Sequence, residues 1–235
     1  MRLFLFFSAL GLIVQTNVWA QGSSNFQIWN DFDPSFSLSE KWVVGGDVGY
    51  RIEPSSKWQS VYIRPAIAYI SNKILKFSVG IANFNSWVPQ DFTKTEIRTF
   101  QYIVVSWPRI SGFQFKHRFG IEQRWFYFAQ FNLDKYVNRS RYFLEVKSPK
   151  FSLFGLESPF FVTANFEILR DINNNELGQL ADHNRYTLGV GNHITDNFRA
   201  EVRFKLINIT DPLTSSYIRE INVLRIRLYY RFAST

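Results

Sequence analysis

The chain reads as all-β: a transmembrane antiparallel β-barrel of ten to twelve strands with a charged and largely filled lumen. Three observations carry this reading. From residue 21 almost to the end, polar and apolar residues alternate with a period of two, the repeat of a strand. The polar parity is heavily charged rather than merely hydrophilic, as in "RFGIEQRWFYF" at 118–128. Aromatic residues make up 18 % of the chain, with 25 Phe, 11 Tyr and 7 Trp, which suits girdles at two membrane interfaces.

Composition narrows the alternatives. The 235 residues suffice for one barrel of moderate size. Mean hydropathy is −0.14, which excludes a bundle of membrane helices, and beyond the first residues no stretch is apolar for the length a helical span requires. The formal charge is +8, but Lys and Arg are spread at period two instead of clustered, so nucleic acid is not an expected partner. The chain has no cysteine, which excludes disulfides, a lipoprotein anchor and thiolate metal sites.

The elements follow in order. "MRLFLFFSALGLIVQTNVWA" has a basic Arg2, an apolar run and a small-residue exit at Ala20, the layout of a secretory signal peptide over 1–20. Residues 21–235 are then the barrel, and the bacterial outer membrane is its expected location. The segment 26–36 is a plausible strand of uncertain spanning role. In 41–52, Trp42, Val44, Val48 and Tyr50 oppose Val43, Asp47 and Arg51; in 58–70, Val61, Ile63, Ile67 and Tyr69 oppose Ser60, Tyr62, Arg64 and Ala66. Next, Leu75, Phe77, Val79 and Ile81 oppose Lys76, Ser78 and Gly80. Over 96–107, Glu96 and Arg98 share a phase that Gln101 leaves, which predicts a bulge. Alternation returns over 113–125, 139–147, 159–169, 184–191 and 197–206, and a last strand at 221–232 sets Arg225, Arg227 and Arg231 against Leu224, Ile226, Leu228, Tyr230 and Phe232. That is ten clear strands from Lys41, plus 26–36. Even parity with both ends on one side requires ten or twelve. Short turns are expected to alternate strictly with long segments at about 85–95, 126–138, 170–182 and 207–219.

Charge on the hidden side has a physical explanation. Lipid accepts the apolar parity directly, and closure satisfies every backbone group. The polar parity then faces a narrow interior that side chains fill. Charge is tolerable there only when paired. Glu96, Arg98, Arg118, Glu122, Arg124, Arg141, Glu145, Glu167, Arg185 and Arg203 are therefore expected to form a lumenal ladder of ion pairs. Leu228, Tyr230 and Phe232 resemble the terminal signal read by outer-membrane assembly machinery, although Ala233, Ser234 and Thr235 follow. Membrane lipid and that machinery are the expected partners.

Taken in order, Glu96-x-Arg98-x-x-Gln101, Arg118-x-x-x-Glu122-x-Arg124, Asn165-x-Glu167, and Asn184-Arg185 with Gly189-x-Gly191 resemble the DUF2490 family of bacterial outer-membrane proteins. The resemblance covers most of residues 21–235. It implies the barrel architecture and supplies no catalytic residues, because the family has no established activity.

The search for chemistry yields little. The three histidines, His117, His183 and His193, show no metal-ligand spacing, and no cofactor or metal is expected. Gly189-Val190-Gly191 lies on a strand without a following helix, so close packing under a bulky neighbour explains it better than a phosphate cradle. His117 falls on the lipid face between Phe115 and Phe119, where an ionisable group is costly. It lacks the serine two residues on that would make a lipase-like pair; a girdle role is the alternative. Asp182-His183-Asn184 stands near a rim. Asn138-Arg139-Ser140 and Asn208-Ile209-Thr210 match a glycosylation sequon by chance. Three functions remain open: a non-enzymatic barrel, either a narrow anion-leaning channel or a structural or interaction protein; a lipid-modifying enzyme using His117 or His183; and a subunit of a larger envelope complex.

Overall fold

The computed structural model describes residues 25–89, 92–129, 133–152, 159–172, 183–210 and 217–232. The proposed signal peptide, Asp182 and the residues after Phe232 lie outside them. Eleven strands close into one barrel: β1 (Asn25–Ser37), β2 (Trp42–Glu53), β3 (Trp58–Ile70), β4 (Leu75–Val88), β5 (Phe92–Ser106), β6 (Gln114–Phe128), β7 (Leu133–Lys147), β8 (Phe160–Asp171), β9 (His183–His193), β10 (Phe198–Thr210) and β11 (Tyr217–Phe232). Consecutive strands pair antiparallel, which short turns permit. The closing pair differs: β1 lies parallel to β11, from Asn25 opposite Ile221 to Phe36 opposite Phe232.

The period of two sorts the side chains by chemistry. Val61, Ile63, Val79, Ile97, Phe119, Ile121, Trp125 and Leu188 point outward, and Ile81 is 59 % exposed. Glu96, Arg98, Glu122, Arg124, Glu167 and Arg203 point inward and are buried. This distribution is the reverse of a water-soluble protein's. Phe36 and Phe232 stack at 4.1 Å across the parallel seam on the outer face.

Three sequence expectations are corrected. First, the strand at the N-terminal edge belongs to the wall, so the total is eleven. The parity argument fails because parallel closure joins an odd number of strands, as known for a nineteen-stranded mitochondrial barrel. Second, β5 has no bulge at Gln101; its register with β4 and β6 runs without a shift. The phase holds because Phe100 and Tyr102 are the inward residues. Thr99 and Gln101 face outward, where both bond Gln123 on β6. Among the described residues the register shift lies at Ile209/Thr210. Third, connections do not alternate short and long. Much of 85–95, 126–138 and 207–219 is strand, leaving connections of 89–91, 129–132 and 211–216; 172–182 is long as expected, but the opposite mouth also carries long connections, 107–113 and 148–159. The polar residues that resemble loop in composition bond to each other on the outer face instead: Thr95 donates to Asn85, and Asn85 to Asn83.

Large inward rings fit because glycine faces them. A Cβ on Gly120 would enter the Tyr102 ring, and one on Gly191 would enter the Phe161 ring. Gly191 thus has the close-packing role its motif suggests. The interior is a side-chain core built of charges and aromatics.

Candidate functional site

The interior wall is the candidate site, and strand register dictates its pairs. Glu122 on β6 stands opposite Arg139 on β7. It is 0 % exposed and accepts hydrogen bonds from Arg139 at 2.5 and 3.1 Å, Arg141 at 2.8 Å and the Tyr102 hydroxyl at 2.5 Å, with Arg98 at 3.2 Å. Arg98 also donates to Glu96 at 2.6 Å, and Arg124 reaches Glu96 at 2.7 Å. Arg98 and Arg124 face each other across β5 and β6, a repulsive arrangement offset by the carboxylates of Glu96 and Glu122. Arg141 continues to Glu167 at 2.6 Å, and Glu167 receives Arg118 and Arg185, each at 3.2 Å. One chain of charge, Glu96–Arg98–Glu122–Arg141–Glu167–Arg185, therefore crosses from β5 to β9.

Two further clusters complete the wall. Glu145 pairs with Lys116 at 2.5 Å and Arg203 at 3.3 Å; Arg203 also holds Glu201, which Arg199 meets at 3.0 Å. At the seam, Asp31 pairs with Arg225 and Asp33 with Arg227. The Tyr62 hydroxyl lies 2.6 Å from Asp31 and 2.8 Å from Asp47, and Asp47 takes a two-pronged contact from Arg64 at 2.6 and 2.7 Å.

All ten residues expected in the ladder lie on the inner wall in these clusters. Sequence reasoning did not assign Asp31, Asp47, Tyr62, Tyr102, Arg139, Glu201, Arg225 or Arg227 to it. The parity that places Glu201, Arg225 and Arg227 inside was legible. Asp31 shares parity with Gln27 and Trp29, opposite Phe26, Ile28 and Phe32, and that alternation was the available signal.

Cations outnumber carboxylates. A cavity of about 570 Å³ is lined by seventeen Lys and Arg and by four Glu: Glu96, Glu145, Glu167 and Glu201. A second cavity of about 1010 Å³ opens at the mouth where β11 ends. Six residues line both: Arg64, Lys76, Arg118, Arg199, Arg227 and Tyr229. Five cations and one phenol thus form the wall that the two cavities share, the neck between them. Arg51 makes no ion pair among the described residues and stacks 4.0 Å over Trp29 and 4.6 Å over Tyr62, contacts that offset part of its desolvation.

The two histidines considered for catalysis lie on opposite sides of the wall. His117 faces outward, bonds the Tyr142 hydroxyl at 2.9 Å and sits among Trp107, Phe119 and Tyr142, an aromatic rim setting. His183 faces inward and lines the smaller cavity. No group of three His, Asp or Glu able to hold a metal occurs among the described residues.

Known structures of similar shape include an anion-selective porin from Comamonas acidovorans, with 11 % identity, TM-score 0.37, and coverage of 80 % of this chain and 53 % of the porin. This chain thus spans about half the porin's length. The beta domain of the Bordetella autotransporter Brka matches at 12 % identity and TM-score 0.45, covering 82 % of this chain and 83 % of that one. The translocator domain of the autotransporter NalP from Neisseria meningitidis matches at 14 % identity and TM-score 0.38, covering 74 % and 70 %. No curated protein matches in sequence. The model of a protein family of unknown function, DUF2490, matches residues 26–208, most of the chain, and the protein belongs to that family.

Proposed function

We propose that the protein is a non-enzymatic β-barrel of the bacterial outer membrane that passes small anions through its cationic neck. The five cations shared by both cavities carry this reading. A permeating ion moving between the chambers passes Arg64, Lys76, Arg118, Arg199 and Arg227, and rings of basic side chains favour anions. The outward apolar wall supports residence in lipid, since closed barrels satisfy all backbone groups there. The outward row Leu228, Tyr230 and Phe232 fits recognition by assembly machinery.

The test is reversal potential in planar bilayers under a potassium chloride gradient. The wild type is expected to favour chloride. Lys76→Glu reverses one neck charge that has no ion-pair partner among the described residues, and should shift selectivity toward potassium. A cation-selective wild type would overturn the reading, and a barrel with no conductance would point to a structural role.

A further inference from the structure

The inner wall of β8, β9 and β10 carries a row of hydrogen-bond donors without acceptors. Asn165, Thr187 and Lys205 are direct neighbours across the three strands. They are buried, at 8 %, 6 % and 5 % exposure. Asn165 Nδ2 and Thr187 Oγ1 have no hydrogen-bond partner. Lys205 makes no ion pair or hydrogen bond among the described residues; its ammonium lies 5.4 Å from the Trp29 ring. Along the same strands, Thr163 Oγ1 and Arg185 Nε are also unpartnered. Thr163, Asn165, Arg185 and Lys205 line the smaller cavity.

Buried polar groups in native proteins are almost always satisfied, so five together call for a missing partner. Asn165 Nδ2, Arg185 Nε and the Lys205 ammonium can only donate, and the two threonine hydroxyls can donate as well, so a partner rich in acceptors satisfies all five. Negative charge on that partner is favoured, because Lys205 is a buried ammonium with no contacting carboxylate. Glu167 acts on Lys205 without forming an ion pair with it and is shared with Arg118, Arg141 and Arg185, while Glu145 is held by Lys116 and Arg203. Arg51, another cation that makes no ion pair among the described residues, stacks on the same Trp29.

We propose that this row binds a compact oxoanion of the phosphate or sulfate class, with Lys205 supplying charge, Thr187 and Asn165 supplying directed donors, and Thr163 and Arg185 flanking them. A halide gathers its hydrogen bonds at one atom, whereas these donors come from three strands about 4.8 Å apart, which suits the spread oxygens of one oxoanion. The site opens to the interior and not to the outer face, so its ligand is a free solute rather than a lipid headgroup. The inference rests on the proposed function only in requiring that small anions reach the chamber.

The folded barrel in detergent should unfold at a higher temperature in phosphate or sulfate than in chloride of equal ionic strength, by about 5 °C at saturating anion. Thr187→Val, which keeps the shape and removes the donor, and Lys205→Met should abolish that rise. In chloride alone Lys205→Met should hold or gain stability, because it removes an unpaired buried cation. His117→Ala, on the outer wall, should retain the full rise. No oxoanion-specific rise in the wild type, or an undiminished rise in Thr187→Val, would overturn the site. Neck selectivity is read in chloride, so either proposal can fall while the other stands.

Discussion

Replacing Glu122 with Gln tests the interior electrostatics most directly. The substitution keeps shape and removes one negative charge from the most enclosed point of the wall. Three guanidinium groups and the Tyr102 hydroxyl converge there. Arg98 and Arg141 retain Glu96 and Glu167, but Glu122 is the only carboxylate paired with Arg139 among the described residues. The guanidinium side chains are 3–10 % exposed, so solvent screening offsets little. Breaking a buried pair by removing one partner costs about 3–5 kcal/mol. At roughly 2–4 °C per kcal/mol for a chain of this size, the unfolding temperature should fall by about 6–20 °C. Lys116→Met is the internal comparison: its ammonium is 37 % exposed and Glu145 keeps Arg203, so loss of that pair should cost about 1 kcal/mol or less. The assay is the temperature at which the folded, fast-migrating form converts to the unfolded form on gels. Equal midpoints for wild type and Glu122→Gln would show that the ion pairs contribute nothing net.

Three other substitutions probe the wall. Asp31→Asn should loosen the seam by about 3 kcal/mol by stranding Arg225, and hydrogen exchange should rise first in β1 and β11; uniform exchange would contradict this. Phe166→Arg, on the outer face against Tyr186, should impair membrane assembly by about 2–4 kcal/mol, whereas Ser78→Arg, lining the larger cavity, should assemble normally in the same refolding assay. Gly120→Val should push the Tyr102 ring off Glu122 and lower the gel midpoint, an effect that Tyr102→Ala should relieve.

The wall's two faces were legible in sequence because they differ in kind, hydrocarbon against charge, at the period a strand imposes. The reading faltered where both faces carried the wrong sort of residue. On β5, Phe100 and Tyr102 turn inward because Gly80 and Gly120 leave room for their rings, while Thr99 and Gln101 turn outward and bond Gln123. Nothing local in 96–107 shows this, since the space is made by the adjacent strands. The ladder's members could be named from parity, but partners such as Arg118 and Glu167, two strands apart, depend on register and side-chain reach. The donor row Asn165, Thr187 and Lys205 is invisible in sequence because its three residues belong to three strands brought level by pairing.

The parallel seam also sets the order of assembly. Every other strand pair closes a local connection, whereas Asp31 meets Arg225 across 194 residues of chain. Loop-closure entropy rises by about 0.6 kcal/mol per doubling, so this joint costs about 2.5 kcal/mol more than a hairpin of roughly ten residues. It returns slightly less per residue, because parallel pairing is the weaker kind. The ten antiparallel pairings can therefore zip first, leaving a curled open sheet with β1 and β11 as its two free edges. An open edge is a template for any passing strand. The carboxylates of Asp31 and Asp33 on one edge, matched to Arg225 and Arg227 on the other, make each edge the preferred partner of its own opposite end, so the barrel closes on itself rather than on a neighbour.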